Sequence, residues 1–204
     1  MRADRSTDQR GSWFVRVVLI VILIGGATVG GIVLHRTVGN TATVEGAPTA
    51  SLFHQASKFV ASGQLNNARK TYRKILKIDP LNVFAYYDIG DLYQSTGQTA
   101  AAANAYEEAL LIKPNYSPAL FNLAVLETPT DPTTTITLYK KLESIEPKVA
   151  APYFNLALLE LHLGMNTDGN KQLIKAVHLD PSLYSRIPPN LIPPGLTVPT
   201  TTAK

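Results

Sequence analysis

Cysteine is absent from the 204 residues, which removes disulfide scaffolds, thiolate zinc sites and thiol nucleophiles together and leaves the redox compartment open. The four histidines, His35, His54, His162 and His178, are scattered and show no H-E-x-x-H or similar ligand spacing. They read as surface or packing residues. Neither a phosphate-binding glycine loop nor a serine-hydrolase elbow is present, and no acid, base, nucleophile or metal set converges in the sequence. An enzyme is therefore not expected, and no cofactor or metal is called for. The net charge of +4 also dissolves on inspection, because residues 49–186 hold 13 Lys/Arg against 12 Asp/Glu and most of the excess lies in the N-terminal arm. A nucleic-acid partner loses its electrostatic support.

What the chain does have is an uncharged run at 17–34, V-V-L-I-V-I-L-I-G-G-A-T-V-G-G-I-V-L. As a helix it would cover roughly 27 Å, near the hydrocarbon thickness of a bilayer. A cleavable signal peptide is the rival reading, but its apolar core is typically about 7 to 15 residues and precedes a small-x-small site. Here Ala42 follows Asn40 and Ala47 follows Glu45 at two residues' distance, which are poor partners. The run is read as an uncleaved transmembrane signal anchor. Arg2, Arg5, Arg10 and Arg16 precede it, against Arg36 shortly after, so residues 1–16 form a cytoplasmic basic arm and the bulk of the chain lies outside the cell membrane. The alternative topology keeps the bulk cytoplasmic. Trp13 and Phe14 suit the headgroup level, and Arg16 can snorkel. Within the run Gly26 and Gly30 form G-x-x-x-G, a small-residue face through which two copies could dimerise; lipid-facing or general packing is the plain alternative.

Beyond a linker at 35–48, four strings recur: Ile78-Asp79-Pro80, Ile112-Lys113-Pro114, Ile145-Glu146-Pro147 and Leu179-Asp180-Pro181, with prolines 34, 33 and 34 residues apart. A period in this range indicates stacked repeats. Each proline stops a helix, because it lacks an N–H and restrains the residue before it. Gly63, Gly97 and Gly164 each fall 17 residues before the closing proline, which splits each unit into a helix hairpin. Apolar residues keep helical spacing within the halves, as in Tyr86, Ile89, Gly90, Tyr93 and Ala102, Tyr106, Ala109.

This pattern resembles the tetratricopeptide repeat family, whose unit reads W-x2-L-G-x2-Y, then A-x3-F, then P. Residues 83–116 match best, with Tyr86, Ile89, Gly90, Tyr93, Ala102, Tyr106 and Pro114. The first unit, 49–82, has Leu52, Ala56, Phe59, Ala68, Tyr72 and Pro80 but Gln55 where Leu is usual. The fourth, 150–183, has Tyr153, Leu156, Ala157, Gly169, Leu173 and Pro181, with Glu160 in an aromatic position. The third, 117–149, keeps Leu120, Leu123, Ala124, Tyr139, Leu142 and Pro147 but departs at Glu127 and Thr135 and loses a residue in Thr128-Pro129-Thr130-Asp131-Pro132. There Asp131 is the expected N-cap and Pro132 the first helical residue. The fold class implied is all-α: a tetratricopeptide-type helical-hairpin solenoid of about four repeats, preceded by one transmembrane helix.

The resemblance implies a concave groove lined by the first helix of each hairpin, able to receive a peptide or a helix of a protein partner. An aromatic residue recurs there in register: Phe53, Tyr87, Phe121 and Phe154. These are expected either to form an apolar groove floor or to pack against the next repeat. Further along the same face come Ser57, Val60, Asp91, Gln94, Val125, Thr128, Leu158 and Leu161, so the floor turns apolar towards its C-terminal end. Co-chaperone members of the family clamp a C-terminal carboxylate with lysines and asparagines; here the matching places hold Phe53, Ser57, Asp88 and Pro118, with only Asn122 of a suitable kind. Binding of heat-shock chaperone tails is rejected on that ground. Asn122 and Asn155 recur in register and brace the backbone in the family.

The function expected is a membrane-anchored interaction scaffold for cell-envelope complex assembly. Residues 37–48 reach roughly 40 Å when extended, so the partner lies close to the membrane. The alternative is a self-associating structural membrane protein without a separate client. In the tail, 184–204, a short helix start gives way to S-R-I-P-P-N-L-I-P-P-G-L. Ile187, Leu191, Ile192 and Leu196 either cap the last hairpin or present a proline-rich ligand.

Overall fold

The computed structural model describes residues 47–197. The apolar run at 17–34, the basic arm, the Gly26/Gly30 face and nearly all of the linker lie outside the described residues. Among the described residues no helix is long and apolar enough to cross a membrane.

Among the described residues eight α-helices run in order: α1 (Ala47–Ala61), α2 (Leu65–Ile78), α3 (Val83–Ser95), α4 (Thr99–Ile112), α5 (Ser117–Glu127), α6 (Pro132–Ile145), α7 (Ala150–His162) and α8 (Asn166–Leu179). No strand occurs among the described residues. Helices of 11 to 15 residues are marginal in isolation, so their stability has to come from packing. The contacts run in sequence, each first helix against its own second helix and each second helix against the next first helix, which is the arrangement of an all-α solenoid of helix hairpins.

The local signals act as steric and hydrogen-bonding stops. After Ile78, Ile112, Ile145 and Leu179 the capping N–H of Asp79, Lys113, Glu146 and Asp180 returns to the carbonyl four residues earlier, and the next residue is proline, which cannot continue the ladder. Three of the hairpin turns place Gly63, Gly97 and Gly164 at φ of 71°, 72° and 76°, a left-handed conformation that costs a glycine little. The third turn avoids that conformation. Asp131 instead caps α6 by accepting from the backbone N–H groups of Thr133 and Thr134 at 3.1 and 3.0 Å, while Pro132 fits the first helical position.

Buried residues fall into four clusters, and each joins one hairpin to the next element of the stack. Tyr72 and Ile75 meet Ala85 and Ile89. Tyr106 and Ala109 meet Ala119 and Leu123. Tyr139 and Leu142 meet Leu156. In the fourth cluster Leu173, Ala176 and Val177 meet Leu183 and Ile187, with Leu191, Ile192 and Leu196 packed against them. The 3₁₀ turns at Pro181–Arg186 and Pro189–Leu191 thus cover apolar surface that a further hairpin would otherwise cover, and burying a side chain of this size contributes about 1.5–3 kcal/mol.

Close approach requires small residues. A Cβ on Gly90 would stand 2.5 Å from Cε1 of Tyr106, so α3 and α4 meet where no side chain fits. Between the third and fourth hairpins the packing encloses a carboxyl group instead. Glu160 is 0% exposed, neither of its carboxylate oxygens has a hydrogen-bond partner, and its position corresponds to that of Tyr93, whose hydroxyl accepts from Arg73 at 3.0 Å. Burial raises the Glu160 carboxyl above its ordinary range, opposed by Lys140 and reinforced by Asp168 and Glu143.

Candidate partner-binding groove

The groove is built by α3, α5 and α7, with α1 at its edge. Phe53 is half-buried and meets Tyr72 edge-on with ring centres 5.9 Å apart. Tyr87 meets Tyr106 at 5.7 Å and Tyr116 at 5.5 Å. Phe121 meets Tyr139 at 6.0 Å. Each aromatic therefore leans on the tyrosine of its own hairpin's second helix, and no ring contact joins successive members of the ladder among the described residues. All three rings are half-buried.

The fourth member differs. Phe154 is only 4% exposed, packed with Leu183 and Ile187 and overlaid by the Arg186 guanidinium 5.6 Å from its ring centre. The tail that closes the last hairpin buries Phe154, so of the two arrangements open to these aromatics this one packs against the next element of the chain. Leu158, one turn on, remains half-buried and lines a cavity. Ser57 is exposed and turned to its own helix, its hydroxyl donating to the Phe53 carbonyl at 2.9 Å.

Two cavities open on this face. One, of about 400 Å³, is lined by Tyr87, Pro118, Phe121, Asn122 and Pro152 among others. The second, of about 810 Å³, lies towards the C-terminal ends of α5 and α7 and is bounded by Val125, Leu158, Leu159 and Leu163, with Pro188 and Leu191 of the tail as a wall. The tail thus has a second consequence, since the segment that buries Phe154 also shapes this cavity.

A chain of polar contacts runs beneath the first cavity. The Tyr106 hydroxyl donates to Asp91 Oδ1 at 2.6 Å and lies 2.6 Å from Gln94 Oε1. Asn122 Nδ2 donates to Asp91 Oδ1 at 2.9 Å, to the Tyr106 hydroxyl at 3.1 Å and to the Tyr87 hydroxyl at 3.3 Å. In the next junction Asn155 Nδ2 donates to the Tyr139 hydroxyl at 3.2 Å. In the first junction the corresponding partner of Tyr72 is Asp88. The pairs 72/88, 106/122 and 139/155 all lie sixteen residues apart. That constant spacing was the available signal for this network, but it acquires meaning only when the second helix of one hairpin is known to touch the first helix of the next.

The electrostatics follow the burial. Desolvation, with Asp91 adding to it, pushes Asp88 up to about 6, although the Tyr72 hydroxyl acts to lower it. Burial and then Asp91 push Tyr87 up to about 12, and burial and the Asp91 hydrogen bond raise Tyr106 further. The tyrosines are neutral donors at ordinary pH. Among the described residues no group of three or more His, Asp or Glu is placed to hold a metal ion.

Two family patterns fit this region: one described as TPR repeat over residues 56–97 and one described as tetratricopeptide repeat over residues 85–116. Together the two patterns span residues 56–116, so the match to tetratricopeptide repeats covers that part of the chain. Its fold is shared at low identity by solved structures described as MamA (TM-score 0.60, 21% identity, 67% of this chain and 81% of that one) and as a tetratricopeptide repeat protein from Parabacteroides merdae (TM-score 0.62, 20% identity, 65% and 54%). Another, the first TPR of Spaghetti bound to the HSP90 peptide SRMEEVD, aligns with a TM-score of 0.53 at 17% identity over 57% of this chain and 93% of that one. Among curated proteins, an uncharacterized protein named ycf37 from Pyropia yezoensis is 43% identical over 96 residues, 46% of this chain and 49% of that protein. A probable UDP-N-acetylglucosamine–peptide N-acetylglucosaminyltransferase, SPINDLY of Solanum lycopersicum, is 38% identical over 61 residues, 30% of this chain but 7% of that protein. The chain thus spans about half the length of the first of these relatives and under a tenth of the second. Tetratricopeptide repeats mediate protein–protein interactions, and the fold is typically a non-catalytic scaffold with an extended binding surface.

Proposed function

We propose that this chain is a membrane-anchored scaffold whose repeats hold a peptide or helix of a membrane-proximal protein in the groove along α3, α5 and α7, in the service of cell-envelope complex assembly. The observation that carries this reading is the pair of cavities on one face, lined by half-exposed Tyr87 and Phe121 at one end and by Val125 and Leu158 at the other. Apolar and aromatic surface of this kind supplies large contact area to a partner at modest entropic cost. The anchor rests on the uncharged run at 17–34 and the arginines before it, with the repeats outside the membrane. Protease accessibility of the repeats in intact cells or spheroplasts tests that side; protection would place them in the cytoplasm.

The groove is tested by capture with the full-length protein against a Tyr87→Ala/Phe121→Ala variant. A client retained by the first and lost by the second supports the reading, and equal retention removes it. The self-associating alternative draws on Gly26 and Gly30. It requires a homodimer on cross-linking, and a strictly monomeric full-length protein eliminates it.

A further inference from the structure

The groove is chemically uneven, and the unevenness points to the kind of segment it takes. In the second and third junctions a neutral amide braces the tyrosine hydroxyl, Asn122 against Tyr106 and Asn155 against Tyr139. In the first junction the same place holds Asp88. Bracing is accomplished elsewhere without charge, so the Asp88 charge is surplus to it. Asp91 lies on the same face one turn further, where the other hairpins carry Ser57, Val125 and Leu158.

Neither carboxylate forms an ion pair with any described Lys, Arg or His, and their hydrogen-bond donors are the hydroxyls of Tyr72, Tyr87 and Tyr106 and the Asn122 amide. Asp91 acts on Asp88 by repulsion, in the same direction as burial. Tyr87 and Tyr116 stand beside the pair, and burial followed by Asp88 and Asp91 raises the Tyr116 hydroxyl as well. Two partly desolvated carboxylates bordered by aromatic rings complement a guanidinium or ammonium group, which can accept both charges and lie along a ring face.

The second observation is independent of the acids. One repeat further along the same face, the 810 Å³ cavity has no Asp, Glu, Lys or Arg in its lining and is walled by Val125, Leu158, Leu159, Leu163, Pro188 and Leu191. We infer that the groove selects a polypeptide segment in which a lysine or arginine, seated between Asp88 and Asp91, is joined to an aliphatic or aromatic cluster that fills the cavity between α5, α7 and the tail. This rests on the groove reading above and specifies its partner by charge and polarity.

The test pans a random twelve-residue phage-displayed peptide library on the full-length protein and measures the recovered peptides by fluorescence anisotropy. Recovered sequences should pair Lys or Arg with an apolar cluster, and their binding should weaken with salt. Asp88→Asn installs the amide that the next two junctions already carry, so it is expected to fold, and an unchanged melting curve verifies this. It should weaken these peptides about tenfold, the size of one lost charge-assisted contact, and flatten their salt dependence. Recovered peptides without basic enrichment, or equal binding by Asp88→Asn, overturn the inference while leaving the groove in place. Peptides bound equally by Tyr87→Ala/Phe121→Ala, or no recovery above bare resin, overturn the groove reading along with it.

Discussion

The first two hairpins and the last two are built on one period yet solve the same packing problem differently. In the first half both turns use glycine at positive φ, as the fourth hairpin does at Gly164, α3 and α4 meet across Gly90, and the face of the groove is polar at Ser57, Asp88, Asp91 and Gln94. In the second half the third turn is closed by an Asp131 cap and prolines, the groove face is Val125 and Leu158, and the junction encloses Glu160 without a hydrogen-bond partner. The difference teaches that a repeat fixes where helices lie, while single register positions decide which surface is polar and which junction encloses an unpartnered group.

The largest expected effect tests the far end of the second half. Truncation after Arg186 removes Ile187, Leu191, Ile192 and Leu196 from the last cluster and should cost roughly 2–4 kcal/mol in urea unfolding and promote aggregation. Unchanged melting would instead leave the segment free to serve as a proline-rich ligand. In the first half, Gly90→Ala should cost about 1–3 kcal/mol, because the new methyl meets the Tyr106 ring and overpacks the hairpin. At the equivalent place in the third hairpin alanine is already present as buried Ala124, so a neutral Gly90→Ala would erase that contrast.

A smaller effect separates the two hydroxyl networks. Tyr106→Phe leaves Asp91 and Asn122 short of a partner and should cost about 1–2 kcal/mol. Tyr139→Phe frees Asn155 and should cost about 1 kcal/mol or less. The reverse order in parallel denaturation curves would mean that the polar first half is not the more tightly coupled one.

The smallest effect is a slope against pH. The folded Glu160 carboxyl lies above its ordinary 4.5 because of burial, with Asp168 and Glu143 raising it and Lys140 lowering it. An acid raised on folding binds more protons in the native state, so the stability it contributes is complete below pH 4.5 and is lost as pH rises through the folded value. Asp88 behaves alike between its ordinary 3.8 and about 6. Melting temperature should therefore fall on this account over that window. Glu160→Gln should flatten the component belonging to the second half, and Asp88→Asn that of the first; a slope untouched by either assigns it elsewhere.

Much of this was legible before the fold was known. The prolines, turn glycines and apolar spacing are local constraints, and they sufficed for eight helices in four hairpins. Asp131 as a cap is similarly local, since the acceptor lies within three residues of its donors. Less legible was the Asp88–Tyr72 pair, because a sixteen-residue spacing acquires meaning only once two helices touch. Also illegible was the burial of Phe154, beside half-buried Phe53, Tyr87 and Phe121, because it depends on the chain's return at Leu183 and Ile187. Glu160 was visible as a departure from pattern, but its complete burial depends on the neighbouring hairpin.

By itself the sequence determined the period, the helix ends and the alternation of small and bulky residues, because backbone sterics and missing donors operate within a few residues. Only the tertiary structure decided which aromatics remain accessible, which carboxylates are left without a countercharge and how the tail closes the stack. Those outcomes depend on burial, and burial is a property of surfaces brought together from distant parts of the chain.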